Sequence, residues 1–191
     1  MPLIRDLYFA ALDFESAGEA PGLTDAPVQA GIAAMTGGTI VPDSFFRTYI
    51  NPRRAVTWAA QKVHGITTAS LENAPDMITL WPEFRDRLAG RVVVAHGAGT
   101  EKRFLRTFPM HGFGPWVDTV QLARRAWPGL GDYSLEALAH RLGFRAELDA
   151  LCPGLTFHDA LYDAAGSLLV LRSLILGAGL LDRDAGELLD A

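Results

Sequence analysis

The spacing of apolar and polar positions changes several times along the chain, and each change marks an element. Residues 7–12 form a continuous apolar, partly aromatic run, which predicts a buried strand. Glycines and prolines from Gly18 to Pro27 predict a loop. Residues 28–35 predict a second strand, Gly37-Gly38 a two-residue hairpin turn, and residues 39–50 a third strand. The opening is therefore expected to be an antiparallel three-strand meander.

Apolar residues then recur at three- and four-residue spacing over 58–63 and 77–88, which predicts helices. The β-branched run at 91–95 predicts a buried central strand. Helices are expected over 101–108, 117–127 and 134–142, the last with Ser134 as its cap. Residues 158–176 predict a long, mostly apolar helix ended by Gly177, followed by a short acidic tail that should be solvated. With no repeat and no linker, the expectation is one α/β domain over 1–191, with a mixed β-sheet flanked by helices and a core at about 7–176.

Composition narrows the function classes. The 191 residues are 49% hydrophobic and 20% charged, a globular balance. A formal net charge of −5 argues against a basic scaffold that grips a long duplex by itself. It leaves room for an enzyme that engages a few nucleotides, with Arg53-Arg54 and Lys102-Arg103 available to meet phosphates. The single cysteine, Cys152, excludes an internal disulfide and a Cys-rich zinc site, and is compatible with a cytoplasmic address. The first residues do not read as a signal peptide, and no run of about 18 apolar residues predicts a membrane span.

Acids and one histidine carry the chemistry. Asp13 and Glu15 lie two apart on a predicted strand and so share a face, with Phe14 opposite. A hard cation between them would relieve their repulsion, although two solvated acids at a strand end give the same pattern. Glu101 sits where a buried strand hands over to a helix, a place where ligands gather, and also one where the helix dipole favours any acid. His158 and Asp163 are five residues apart, so they converge only if His158 lies at or before the first helical turn. Asp163 precedes Ala164-Ala165-Gly166, whose small side chains let a helix approach a sheet, and a buried acid there needs a partner.

In this order, the pieces resemble the DnaQ-like, DEDDh family of 3′→5′ exonucleases, from residue 7 to about residue 175. Leu12-Asp13-Phe14-Glu15-Ser16 resembles the first motif, and Val63-His64-Gly65-Ile66-Thr67 the internal His-Gly-Ile loop. The segment from Val94-Ala95-His96 to Phe104-Leu105 is similar to the second motif, and His158-Asp159-Ala160-Leu161-Tyr162-Asp163-Ala164 to the third. Trp116-Val117-Asp118-Thr119, Leu122-Ala123-Arg124 and Tyr133-Ser134-Leu135-Glu136-Ala137-Leu138 resemble connecting segments.

The resemblance implies a ribonuclease H-like fold and two divalent cations, Mg2+ or Mn2+. Asp13 would bridge them, Glu15 and Asp163 would complete one, and Glu101 would support the other. His158 would take the proton of the attacking water, since imidazole changes charge between roughly pH 5 and 8. The backbone at Ser16-Ala17 and the side chains of Phe14 or His64 would hold the 3′-terminal nucleotide, with Phe14 equally readable as core.

The second motif departs from the family pattern His-Asn-Ala-x-Phe-Asp. Here it is His96-Gly97-Ala98-Gly99-Thr100-Glu101, with a longer acid, no amide and no aromatic ring. The expected activity is release of nucleotides from single-stranded 3′ ends, DNA favoured. The alternatives are a nucleic-acid-binding or polymerase-associated module with weakened catalysis, and an exonuclease acting on RNA or short oligonucleotides. The expected partners are a single-stranded 3′ end and, beyond it, a DNA polymerase or a second copy of the chain; no membrane is expected.

Overall fold

The computed structural model describes residues 2–189. Its centre is a five-stranded sheet in the order β3-β2-β1-β4-β5. β1 (Tyr8–Ser16), β2 (Pro27–Thr36) and β3 (Thr39–Tyr49) form the antiparallel meander. The turn between β2 and β3 needs two consecutive left-handed residues, and Gly37 (φ 56°) and Gly38 (φ 79°) supply them without a Cβ clash. β4 (Val92–Ala95) and β5 (Trp116–Asp118) join parallel to β1, and β4 is buried throughout because both of its faces are covered.

Eight helices accompany the sheet among the described residues: α1 (Trp58–His64), α2 (Trp81–Leu88), α3 (Gly99–Phe104), α4 (Thr119–Ala126), α5 (Leu135–Leu142), α6 (Arg145–Leu151), α7 (Ala160–Gly177) and α8 (Gly186–Leu189). α7 lies across β1 and β2 on one face, with α4, α5 and α6 packed around it. α2 and α3 cover the other face, where Phe14, Phe84, Phe104 and Phe108 form an aromatic cluster.

Several boundaries moved for identifiable reasons. The predicted helix at 117–127 begins with a strand: Trp116–Asp118 pairs with β4, and Asp118 then caps α4. Trp116 and Val117 suit a helix or a strand equally, so only pairing decides it. The helices at 77–88 and 101–108 each contain one 3-10 turn, at Met77–Leu80 and Leu105–Thr107. α6 was not predicted at all. The long helix starts at Ala160, two residues later than expected, because Asp159 caps it.

The C-terminal segment is not simply solvated. Leu188 is buried, the backbone of Ile4 donates to Arg183, and that of Arg5 donates to Leu181. Residues 190 and 191, the end of the expected acidic tail, lie outside the described residues. α7 is long and apolar enough to cross a membrane by length and composition, contrary to the expectation of no such run, but most of it is buried in the core.

Candidate active site

β1 outruns its neighbour. Its last pairing with β4 is Ala11 with Val94, so Asp13 and Glu15 stand beyond the carboxyl end of the parallel part of the sheet. That edge is where α/β sheets open a crevice for ligands. The alternation of β1 puts Phe14 in the aromatic cluster and turns Asp13 and Glu15 toward α7.

A single glycine brings α7 to these acids. Gly31 pairs with Asp13 across β1 and β2. A Cβ on Gly31 would lie 2.1 Å from the Ala160 carbonyl carbon and 2.2 Å from the Leu161 nitrogen. Those distances are far inside van der Waals contact, so only glycine lets the start of α7 rest on the sheet. Of the small residues Ala164-Ala165-Gly166 expected to allow that approach, Gly166 faces elsewhere: a Cβ on it would meet Leu135 and Leu148 of α5 and α6.

His158 stands just before the helix with φ 68°, a left-handed backbone unusual for a residue with a side chain. It satisfies the condition for convergence: His158, Glu15 and Asp163 offer ligand atoms that lie within 4.8 Å of one another. The His158 backbone N–H donates to Asp163 Oδ2 at 3.0 Å.

Glu101 arrives from the other side, in the first turn of α3, and is only 5% exposed. Its loop is held by Asp118, whose carboxylate accepts the backbone N–H groups of Gly97 (3.2 Å) and Ala98 (3.0 Å) while also capping α4. His96 points away from the cleft. Its Nε2 faces the Tyr133 carbonyl at 2.8 Å and its Nδ1 faces Thr119 Oγ1 at 2.8 Å. Burial lowers the His96 pKa, and Nε2 donates to the Tyr133 carbonyl, which can only accept. His96 and Asp118 therefore tie β4, β5 and Tyr133 together beneath Glu101.

The electrostatics of the cleft are those of crowded, desolvated acids. Burial, then the charges of Asp163, Glu101, Glu15 and Asp159, pushes the Asp13 carboxyl well above the usual range. Glu15 is pushed up to about 8 by burial, then by Asp163, Asp159 and Glu101. Glu101 rises to about 7, mainly through burial. Asp163 rises to about 7 through burial, against the lowering effect of the His158 N–H. Two carboxylate oxygens, Glu101 Oε2 and Asp163 Oδ1, are buried without a hydrogen-bond partner. Hard oxygen donors that are close, desolvated and unpartnered are what divalent cations of the Mg2+ class bind, so the residues fit such a group.

The expected nucleotide-contacting residues divide. The Phe14 ring stacks on Phe84 with centroids 5.8 Å apart and belongs to the core. Ala17 is fully buried, and both its backbone groups are taken, by Ala26 and Thr57. Ser16 and His64 stay half-buried and joined, His64 Nε2 meeting the Ser16 carbonyl at 3.0 Å. His64 Nδ1 accepts the Ile66 N–H, so Nε2 carries the proton. His64 also lies within electrostatic reach of His158. The cations expected to meet phosphates are otherwise engaged: Arg53 pairs with Asp76, Arg54 and Arg103 pair with Asp25, and Lys102 lies over Trp116.

The profile of the RNase T exonuclease family matches residues 10–171, which includes every acid of the cleft. The chain belongs to that family. Among similar proteins, the exodeoxyribonuclease 10 of Escherichia coli K12 is 30% identical over 168 residues, covering 88% of this chain and 69% of that protein. A PolC-type DNA polymerase III from Thermotoga maritima is 34% identical over 143 residues, or 72% of this chain. This chain spans only 10% of that polymerase, and 20% of a similar DNA polymerase III epsilon-like protein from Rhodobacter capsulatus. The structure of Exonuclease X in complex with 5′ overhanging duplex DNA superposes with a TM-score of 0.77 at 26% identity, covering 95% of this chain and 99% of the other. The nuclease domain of 3′hExo, a DEDDh family member bound to rAMP, shares the fold at a TM-score of 0.71 and 15% identity, over 92% of this chain and 94% of its own. The mixed sheet is thus the ribonuclease H-like sheet of the DEDDh exonucleases, a family that uses divalent metal ions.

Proposed function

We propose that this chain is a single 3′→5′ exonuclease domain that removes nucleotides from single-stranded ends, DNA favoured over RNA. The observation that carries the reading is the convergence of Asp13, Glu15, Glu101 and Asp163 with two buried oxygens unpartnered, beside His158. The preference for DNA is supported by the exodeoxyribonuclease and polymerase relatives and by the DNA bound to Exonuclease X.

The four acids would hold two divalent cations, Mg2+ or Mn2+. When bound, these supply charge neutralisation at the phosphoryl group and polarise the attacking water. His158 takes a proton from that water. As the water oxygen bonds to phosphorus, the bond from phosphorus to the 3′ oxygen of the preceding nucleotide breaks, and that oxygen leaves with the electron pair. Ser16 and His64, half-buried and joined at the end of β1, would contact the terminal nucleotide. A reducing cytosol suits the lone thiol of Cys152.

A cleavage panel tests the reading: 3′-labelled DNA and RNA, single- and double-stranded, with Mg2+, Mn2+ or EDTA. Metal-dependent release of labelled mononucleotides, lost in Asp13→Ala, is expected. End binding without release, across both metals and all substrates, would favour the binding-module alternative, and association with a polymerase would then be the next measurement. A substrate-length series separates an oligonucleotidase.

A further inference from the structure

His158 serves the cleft from a backbone conformation that does not hold itself. A residue with a side chain in the left-handed region persists only where its surroundings over-determine it. The next residue, Asp159, shows what does so. Its Oδ1 accepts the Leu161 N–H at 3.2 Å, which is the ordinary duty of a helix cap. Four further contacts, from two side chains, exceed that duty. Arg47 Nε lies 3.1 Å from Oδ1 and 2.8 Å from Oδ2, and Arg47 Nη2 lies 2.6 Å from Oδ2. Gln29 Nε2 donates to Oδ2 at 3.0 Å.

Gln29 is 1% exposed, and its amide has no slack: Oε1 accepts the Ala160 N–H at 2.8 Å while Nε2 holds Asp159. The sheet register explains the convergence. Gly31 pairs with Asp13 on one side and with Arg47 on the other, and Gln29 pairs with Glu15. The same two rows of the sheet therefore carry the acids on β1 and the anchors of His158 on β2 and β3. Neither Arg47 nor Gln29 is among the cleft's candidate ligands.

We propose that Arg47 and Gln29 are positioning residues for His158. Acting through Asp159, they fix the turn before α7 and so aim the imidazole at Glu15 and Asp163. The inference rests on His158 as the base. The guanidinium matters for its geometry, because a bidentate fork fixes the carboxylate plane and an ammonium does not.

The test uses the whole chain and three readouts. In wild type, Arg47→Ala, Arg47→Lys and Gln29→Leu, kcat and KM are measured on a 3′-labelled single-stranded oligonucleotide, Mn2+ affinity is measured by EPR, and the His158 ring resonances are followed by NMR without metal. Arg47→Ala should lower kcat by roughly 10- to 100-fold, the cost of misplacing a catalytic group, with KM and Mn2+ affinity little changed. It should also move or broaden the His158 resonances, and methylguanidinium should restore part of kcat. Arg47→Lys should fall between, and Asp159→Asn should add little to Arg47→Ala. Unchanged His158 resonances in both Arg47→Ala and Gln29→Leu would overturn the inference. So would losses in which kcat, Mn2+ affinity and melting temperature fall together without rescue. An inactive wild type would instead count against the base assignment, and the resonances would still decide whether Arg47 holds His158 in place.

Discussion

The two shoulders of the cleft bring acids to one place by opposite means. On the α7 shoulder, backbone touches backbone: Gly31 lets Ala160 and Leu161 rest on the sheet, and Arg47 and Gln29 brace Asp159. On the α3 shoulder a loop does the work: Asp118 gathers the N–H groups of Gly97 and Ala98, and Glu101 reaches inward from the helix behind them. The α7 shoulder keeps the family's third motif. The α3 shoulder carries a rewritten second motif, and still delivers a buried carboxylate. A hydrogen-bonded loop tolerates many changed side chains, because Asp118 holds N–H groups that every residue except proline has, although Gly97 at φ 91° still favours glycine; a close approach between a helix and a strand tolerates none, because it is limited by atoms that cannot move.

The largest test of that contrast lies at the junction of the shoulders. Asp13→Asn should abolish hydrolysis, and it should also raise the melting temperature in EDTA by removing a charge that burial opposes. A less stable variant in EDTA would break the account of uncompensated acids. Next, His158→Ala should cost about 10²–10⁴ in kcat, the usual contribution of a general base. Gly31→Ala strikes the rigid shoulder and should destabilise the chain by about 1–3 kcal/mol or more, with α7 displaced and activity lost. Asp118→Ala strikes the looser shoulder and should cost about 0.5–2 kcal/mol as a lost cap, with activity lowered but present. If urea unfolding ranks Asp118→Ala as the more damaging of the two, the comparison is reversed. Glu101→Asp shortens the reach by one bond of about 1.5 Å, so Mn2+ affinity should fall without the complete loss expected at Asp13.

The smallest effect is a pH dependence. The raised carboxyls bind more protons in the folded state than in the unfolded one, so stability without metal should fall as pH rises. The fall begins near the unfolded carboxyl pKa of about 4, and the part due to Glu15 is complete above its folded value of about 8. A divalent cation offsets the charge, so the Mn2+-induced rise in melting temperature should be greater at alkaline than at acidic pH. Calorimetry showing an equal rise at both would contradict it.

Sequence patterning carried the meander, the buried strand β4 and the long core helix because each is a local consequence of period and turn chemistry. The order of acids and histidine carried the family, since a two-metal site needs those donors whatever their neighbours. Patterning missed β5, whose Trp116 and Val117 fit the apolar pattern of a helix as well as of a strand and become a strand only by pairing with β4. It assigned Phe14 to either core or cleft, and the face opposite Asp13 and Glu15 decided for core. Nothing in the local sequence marks Arg47, Gln29 or Gly31 as parts of the site.

By itself, then, the sequence determined which donors exist and which elements carry them, because side-chain chemistry and local periodicity are properties of short stretches. Only the tertiary structure decided which of those donors meet. Register across three strands sets Arg47, Gly31 and Asp13 in one row, and close packing at Gly31 brings His158 and Asp163 to Glu15. The contacts to α7 join residues more than a hundred positions apart, and their distances follow from how strands pair and how near a helix can come.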